Sequence, residues 1–178
     1  MGVPEVLDEI RAAMPYISGI TVSGGEATVQ HEFVLELFKE IKSLPEFAHL
    51  TTFIDSNGNT SETIWASLAP FTDGVMLDLK ALNDESHIAL TGSSNAVVLE
   101  SIKFLNSINK LYEVRLLLVP GQNDSDDELV KTAVWLKGIN PDMKIKINAF
   151  KNHGVRATAR DWPEVNEEDL ARYHSIID

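Results

Sequence analysis

The feature that most restricts the fold of this chain is a regular alternation of short apolar segments with longer segments of helical periodicity. The short segments predict strands at 19–22, 50–54, 74–77, 114–119 and 143–147. The longer segments predict helices at 4–14, 31–44, 61–68, 84–90, 95–108, 124–137 and 166–177. Because helices separate the strands, we expect right-handed crossovers and a parallel sheet. The uniformly apolar strands also predict a sheet covered by helices.

Chain length narrows the architecture further. A closed barrel of eight parallel strands usually needs ~250 residues, whereas this chain has 178. We therefore expect a single α/β domain over residues 1–178, built as a partial barrel or as a doubly wound sheet. The composition, 44% hydrophobic and 24% charged, is ordinary for a globular domain. The sequence leaves open whether the C-terminal segment, 166–178, belongs to the barrel or covers its mouth.

Composition also excludes several classes of function. The formal net charge of -12 argues against non-specific binding to nucleic acid, whose phosphates would be repelled. No apolar run approaches ~18 residues, so no membrane span is expected. The N-terminus lacks a basic segment followed by an apolar core, and the cytoplasm is the expected location. The chain has no cysteine, which excludes disulfides, a thiolate nucleophile and cysteine-ligated zinc or iron–sulfur sites.

Polar residues follow the predicted strands at the points where the strands end. They lie at 23–26, 55–58 and 78–80, with Arg115 inside the fourth strand and Asn148 and Lys151 after the fifth. In both candidate architectures, ligands bind at the carboxyl ends of the strands. We therefore expect these residues to converge on one cleft.

Each of these groups has a functional and a structural interpretation. Gly24 and Gly25 let the backbone approach a ligand closely, and Glu26 adds an anionic acceptor, but a plain turn explains the same residues. Asp55 and Asp78 could share a hard cation or cap the following loops.

The cationic residues are equally open to two interpretations. Lys80 shares a strand face with Asp78, so the pair could clamp a zwitterionic ligand or form a structural salt bridge. Arg115 interrupts an apolar strand and needs a partner, either a ligand carboxylate or a buried acid. No two histidines have the i, i+4 spacing of a metal site, although His153 could reach the cleft from its loop.

Taken in order, these segments resemble the activating enzymes of glycyl radical enzymes, a family of the radical S-adenosylmethionine (SAM) superfamily typified by the pyruvate formate-lyase activases. The resemblance spans residues 19–154. It rests on 19–27 (GITVSGGEA), 55–58 (DSNG), 75–80 (VMLDLK), 83–87 (NDESH), 115–121 (RLLLVPG) and Asn123-Asp124.

The resemblance implies a fold and a chemistry. The fold is a partial (β/α)6 barrel of the TIM type, here without its N-terminal strand and cluster-binding loop. In the family, a [4Fe–4S] cluster, reduced by a donor such as flavodoxin or ferredoxin, passes an electron to SAM. The 5′-deoxyadenosyl radical that forms removes a hydrogen atom from a glycine of the partner glycyl radical enzyme.

The resemblance also assigns roles to individual residues. Gly24, Gly25 and Glu26 match the motif that meets the SAM amino group. Asp78, Leu79 and Lys80 match an Asp-x-Lys motif near SAM, and Arg115 matches an arginine that meets the methionyl carboxylate. Asp55, Ser56, Met76 and Asp78 match a site for Na+ or K+. Lys151 stands where the family has a SAM-contacting histidine, with His153 two residues later, and either could replace it.

One departure from the family is large. The Cys-x-x-x-Cys-x-x-Cys loop is absent, so we expect a truncation of a longer protein and no activity from the chain by itself. Three alternatives remain open at this point: a radical SAM enzyme acting on a small molecule, a noncatalytic binding module, and an aldolase-like barrel using Lys80 as a Schiff-base amine.

Overall fold

A computed structural model describes residues 1–155 and 157–177 of the protein. In this part of the chain, five parallel strands form one sheet in the order β1-β2-β3-β4-β5. The strands are β1 Gly19–Val22, β2 Thr51–Ser56, β3 Gly74–Leu79, β4 Leu111–Leu118 and β5 Ile145–Ala149. The predicted parallel sheet is confirmed. Its strand order never reverses, as in a barrel, so the doubly wound alternative is wrong.

Helices follow the strands as the periodicity predicted. They are α1 Val3–Ala13, α2 His31–Ser43, α3 Glu62–Leu68, α4 Asp84–Thr91, α5 Ala96–Ser107, α6 Asp126–Ile139 and α7 Glu167–Ile177. Side-chain caps fix several of their starts. Ser125, for example, accepts a hydrogen bond from the backbone N–H of Glu128, so α6 begins two residues later than predicted.

The two faces of the sheet differ, which corrects the expectation of a sheet covered by helices. Along β2, β3 and β4, alternate residues such as Ile54, Leu77 and Val114 are fully buried in a single core beneath the helices. The residues between them, such as Asp55, Met76 and Arg115, are only half-buried. Because side chains alternate across a strand, the charged residues of β2, β3 and β4 share the second face. We call this second face the inner face.

The last helix packs on the outside of the sheet rather than across its mouth. Helix α7 lies against α6 and β5, and its Tyr173 and Ile177 are buried in the core. The Tyr173 hydroxyl donates to Asp124 Oδ2 at 2.9 Å. Burial and this hydrogen bond raise the pKa of Tyr173. The contact ties α7 to the loop after β4.

Candidate functional site

The loop after β1 presents bare backbone. Gly24 and Gly25 have φ angles of +103° and +53°, in the region that favours glycine. A Cβ placed on either residue would meet nothing within 4 Å, so the space beside both is open. The loop can therefore offer its N–H and C=O groups to a ligand at close range.

Glu26 holds this loop against the loop after β2. Its Oε1 accepts hydrogen bonds from Ser56 Oγ at 2.7 Å and from Thr28 Oγ1 and N, and its Oε2 accepts one from Asn57 N at 2.7 Å. Both carboxylate oxygens are thus engaged within the protein. The geometry gives Glu26 a role in shaping the glycine loop, and its direct contact with a ligand stays a prediction.

Arg115 lies at the centre of the inner face. Its Nε donates to Glu113 Oε1 at 2.8 Å, its Nη1 donates to Asp55 Oδ2 at 3.0 Å, and its Nη2 lies 2.6 Å from the sulfur of Met76. The arginine side chain is 18% exposed. Burial by itself lowers the pKa of Arg115, but the contacts with Glu113 and Asp55 outweigh burial and raise it. Within residues 1–155 and 157–177, the guanidinium is thus held in place by side chains.

Asp78 and Lys80 form the second charged pair of the site. Asp78 lies beside Arg115 in the β3–β4 register, and Lys80 Nζ donates to Asp78 Oδ2 at 2.7 Å. Both side chains are about one quarter exposed, at 27% and 26%. Leu79 points the other way and is 1% exposed, so only its backbone could meet a ligand in the cleft.

Three of the four residues matched to a monovalent cation site lie together on the inner face, where Asp55 and Met76 are register partners and Asp78 follows Met76 by two residues. Asp55 lies on the inner face, where Arg115 and Ser23 bind its Oδ2. Ser56 is buried on the opposite face and donates to Glu26. Among the described residues, no group of three or more His, Cys, Asp or Glu could hold a metal ion. The Na+ or K+ site therefore stays a prediction.

Lys151 and His153 lie in the loop after β5, and both are exposed. Lys151 Nζ pairs with Glu164 Oε2 at 3.1 Å and donates to the carbonyl of Val165 at 3.2 Å. The hydrogen bond from Asn152 N and the pairing with Lys151 lower the pKa of Glu164. The lysine is therefore engaged within its own loop, and a contact between SAM and either residue stays a prediction.

A cleft of about 740 Å³ opens beside Lys80. Its walls include Asn57 and Asn59 after β2, the segment 87–94 around the end of α4, and Trp162. Binding sites for small molecules commonly have volumes of roughly 300–1,000 Å³. The cleft is thus large enough for a nucleoside-sized ligand next to Lys80, whereas Gly24, Gly25, Asp78 and Arg115 do not line it.

Sequence reasoning missed two residues that shape the site. Glu113 precedes Arg115 by two positions, and the period of a strand could have placed it on the same face. Asn123 is 3% exposed and hydrogen-bonds the backbone of two strand ends. The sequence gives no signal of the bond between Asn123 and Lys80, because the two residues lie 43 positions apart.

The family resemblance implies a [4Fe–4S] cluster, and the residues of this chain do not fit one. Such clusters are held by cysteine thiolates, and the sequence contains no cysteine. No reaction step through a cluster can be derived from these residues. SAM is a different case, because the open glycine backbone, an arginine fork and a carboxylate–lysine pair suit a zwitterionic ligand.

Comparisons with known proteins point to the same superfamily. The sequence profile of the Radical SAM superfamily matches residues 2–133. The chain is similar to the pyruvate formate-lyase-activating enzymes of Streptococcus mutans, at 35% identity over 138 residues (76% of this chain), and of Staphylococcus aureus, at 31% over 159 residues (86%). It covers 52% and 63% of these relatives, and so spans about half to two thirds of their length.

One solved structure has the same fold as this chain. The fold of this chain matches a domain of the pyruvate-formate lyase-activating enzyme from Bacteroides vulgatus with a TM-score of 0.72. The match covers 90% of this chain and 93% of that domain at 18% sequence identity. It confirms the predicted partial-barrel fold. No helix in the described residues combines the length and apolarity needed to cross a membrane.

Proposed function

The chain belongs to the radical SAM superfamily, and from this premise we propose that it is the SAM-binding core of a glycyl-radical-enzyme activase. Its protein substrate would be a glycyl radical enzyme, with flavodoxin or ferredoxin as the electron donor and the cytoplasm as the location. The names of the two bacterial relatives support the activase role. The superfamily match favours this function over the aldolase-like alternative.

One observation carries the proposal. Arg115 and Asp78 are neighbours in the register of β4 and β3, on the face that also carries Lys80 and opens toward the glycine loop. The methionyl end of SAM carries an ammonium and a carboxylate group. An arginine fork is suited to the carboxylate, and backbone carbonyls with a nearby aspartate are suited to the ammonium.

In this proposal the chain binds and orients SAM. Glu26 fixes the glycine loop through Ser56 and Asn57, so its backbone groups are already in place when SAM arrives. Arg115 is pre-oriented by Glu113 and Asp55 and exchanges part of this pairing for the ligand carboxylate. The chain by itself supplies no thiolate, so we propose that it binds SAM without cleaving it.

Isothermal titration calorimetry of SAM into the chain tests the binding role. We expect saturable binding that weakens by about tenfold in Asp78→Asn, because a charge-assisted contact is lost. Asp142→Asn makes the same chemical change in an exposed loop far along the chain and should leave the affinity unchanged. Failure of the unsubstituted chain to bind SAM, or equal affinities of all three proteins, would rule the proposal out.

The activase role needs a separate test. A segment containing Cys-x-x-x-Cys-x-x-Cys is placed ahead of the chain, and the protein is loaded with iron and sulfide under anaerobic conditions. After reduction and addition of SAM, we expect 5′-deoxyadenosine together with a glycyl radical signal on a glycyl radical enzyme by electron paramagnetic resonance. If 5′-deoxyadenosine forms without a glycyl radical, the activase role toward that glycyl radical enzyme is wrong.

A further inference from the structure

The loop that carries Lys80 is held by two buried asparagine side chains. Asn123 Nδ2 donates to the carbonyl of Lys80, and Asn95 Nδ2 donates to the carbonyls of Ala81 and Leu82 at 3.1 and 2.7 Å. The two asparagines are 3% and 4% exposed. The carbonyls of three consecutive residues after β3 thus each accept a hydrogen bond from a side-chain amide.

The two asparagines connect this loop to different parts of the molecule. Asn95 lies at the start of α5, and its backbone N–H donates to Asp84 Oδ1, so it fixes the loop to the neighbouring helices. Asn123 instead lies in the turn after β4. Its Nδ2 also donates to the carbonyl of Leu117 at 2.8 Å, and its Oδ1 accepts from Val119 N at 2.8 Å.

Asn123 therefore connects the end of β4 to the residue that follows β3. Leu117 and Arg115 belong to β4, whereas Lys80 directly follows β3, which contains Asp78. A single side-chain amide bridges the carbonyls of Leu117 and Lys80. The sheet ladder already places Asp78 beside Arg115, and Asn123 adds a fixed position for Lys80, which lies just beyond the ladder, against the end of β4.

We propose that Asn123 is a positioning residue for SAM: by holding the Lys80 carbonyl against the end of β4, it directs the Lys80 ammonium onto Asp78 opposite Arg115. The inference rests on the proposed SAM-binding function. Asn123 itself touches no reacting atom. It acts through the backbone of Lys80, whose Nζ lies 2.7 Å from Asp78 Oδ2.

The variant Asn123→Asp isolates the relevant hydrogen bonds. The side chain keeps its size and keeps an oxygen for Val119 N, but it replaces the donor to Lys80 and Leu117 with a second acceptor. Asn140→Asp is the matched control. Asn140 is half-buried beyond the far end of α6, where it bonds Asn106 and Asp142. Asn123→Ser, which shortens the side chain without adding charge, replaces Asn123→Asp as the test variant if the aspartate variant does not fold.

Two measurements test the proposal. Nuclear magnetic resonance reports whether the two Hε protons of Lys80 are inequivalent, as expected for a side chain held on Asp78, with assignment by Lys80→Arg. Calorimetry reports SAM affinity. We expect Asn123→Asp to average the Lys80 Hε signals and to weaken SAM binding about tenfold, whereas Asn140→Asp does neither.

The outcomes separate this proposal from the proposed function. Unchanged Lys80 signals in Asn123→Asp would overturn the positioning role whatever happens to SAM binding. Averaged Lys80 signals with unaltered SAM affinity would overturn the link to SAM. If the unsubstituted chain binds no SAM at all, the proposed function fails, and the Lys80 signals still decide whether Asn123 orients this side chain.

Discussion

Two ion-pair clusters of the same sheet, one at its amino end and one on its inner face, are built differently. At the amino end, Lys42 Nζ donates to Asp73 Oδ2 at 2.6 Å and to the carbonyl of Leu50, and Asp73 also accepts from the backbone N–H of Thr52. On the inner face, the hydrogen-bond partners of Arg115 among the described residues are the side chains of Glu113, Asp55 and Met76.

The difference bears on what each cluster can do. Backbone partners are fixed by the fold, so the Asp73 cluster ties α2 to the starts of β2 and β3 and has little freedom to rearrange. Side-chain partners can rotate away, so Arg115 can exchange a carboxylate of the protein for one of a ligand at moderate cost. We infer that the first cluster serves stability and the second serves binding, and substitutions at Arg115 and Asp73 test this division directly.

The largest effect is expected at Arg115. Arg115→Gln removes the bidentate donor, and SAM affinity should fall by about 100-fold, the magnitude expected for loss of a charge-assisted pair of hydrogen bonds. Thermal unfolding should also shift downward, because the half-buried carboxylates of Glu113 and Asp55 lose their cationic partner. Arg11→Gln is the control, because Arg11 also contacts two acids, Asp8 and Glu46, on the protein surface. Equal SAM affinity in both variants would contradict the division.

The next largest effect is expected from substitution of Asp73, and it concerns the stability of the fold. Burial by itself raises the pKa of Asp73, but the contacts with Lys42 and Thr52 outweigh burial, so the pKa is lowered from 3.8. A lowered pKa stabilises the fold above about pH 3.8, and this stabilisation is lost as the pH falls through the folded-state pKa.

Asp73→Asn should therefore lower the free energy of unfolding by about 1 kcal/mol near pH 7, a modest value because the carboxylate is partly exposed. Urea unfolding at several pH values measures the difference, which should shrink below about pH 3.8. SAM affinity should not change. A stability difference that stays constant across this pH range would show that the charge of Asp73 is not the cause.

A similar effect on stability is expected at two glycines, of which Gly25 lies in the loop after β1 and Gly92 lines the cleft beside Lys80. Gly25 and Gly92 both have positive φ and open space where a Cβ would lie. Alanine at either residue should cost about 1 kcal/mol of stability, since an L-residue is strained there. Gly25→Ala should also weaken SAM binding, and a matching loss in Gly92→Ala would show that the ligand extends into the cleft beside Lys80. Chemical denaturation and calorimetry on both variants make the comparison.

The smallest effect is expected at Lys151. Its ion pair with Glu164 lies at the surface, where such pairs contribute ~0–1 kcal/mol. Lys151→Met should leave the stability almost unchanged and alter SAM affinity by less than about twofold. His153→Ala, measured beside it, tests the other residue matched to the family histidine. A tenfold loss in either variant would identify the residue that takes the place of that histidine.

The sequence predicted the fold well because its signals are local. Helical periodicity and the apolar strand runs located the strands and helices to within a few residues, and the spacing of Asp78 and Lys80 correctly placed them on one face. The same period also applied to Glu113, which was overlooked. The exposure of the charged inner face was missed because apolar content alone does not say which face a helix covers.

The sequence by itself determined the strand–helix alternation, the absence of thiolates and the identity of the polar residues at the strand ends. The tertiary structure alone decided their partners. Glu26 bonds Ser56 and Asn57, and Asn123 bonds the carbonyl of Lys80. Such contacts join residues about 30 to 43 positions apart, and no local pattern records them, because hydrogen-bond partners across a sheet are set by register and by the packing of the loops.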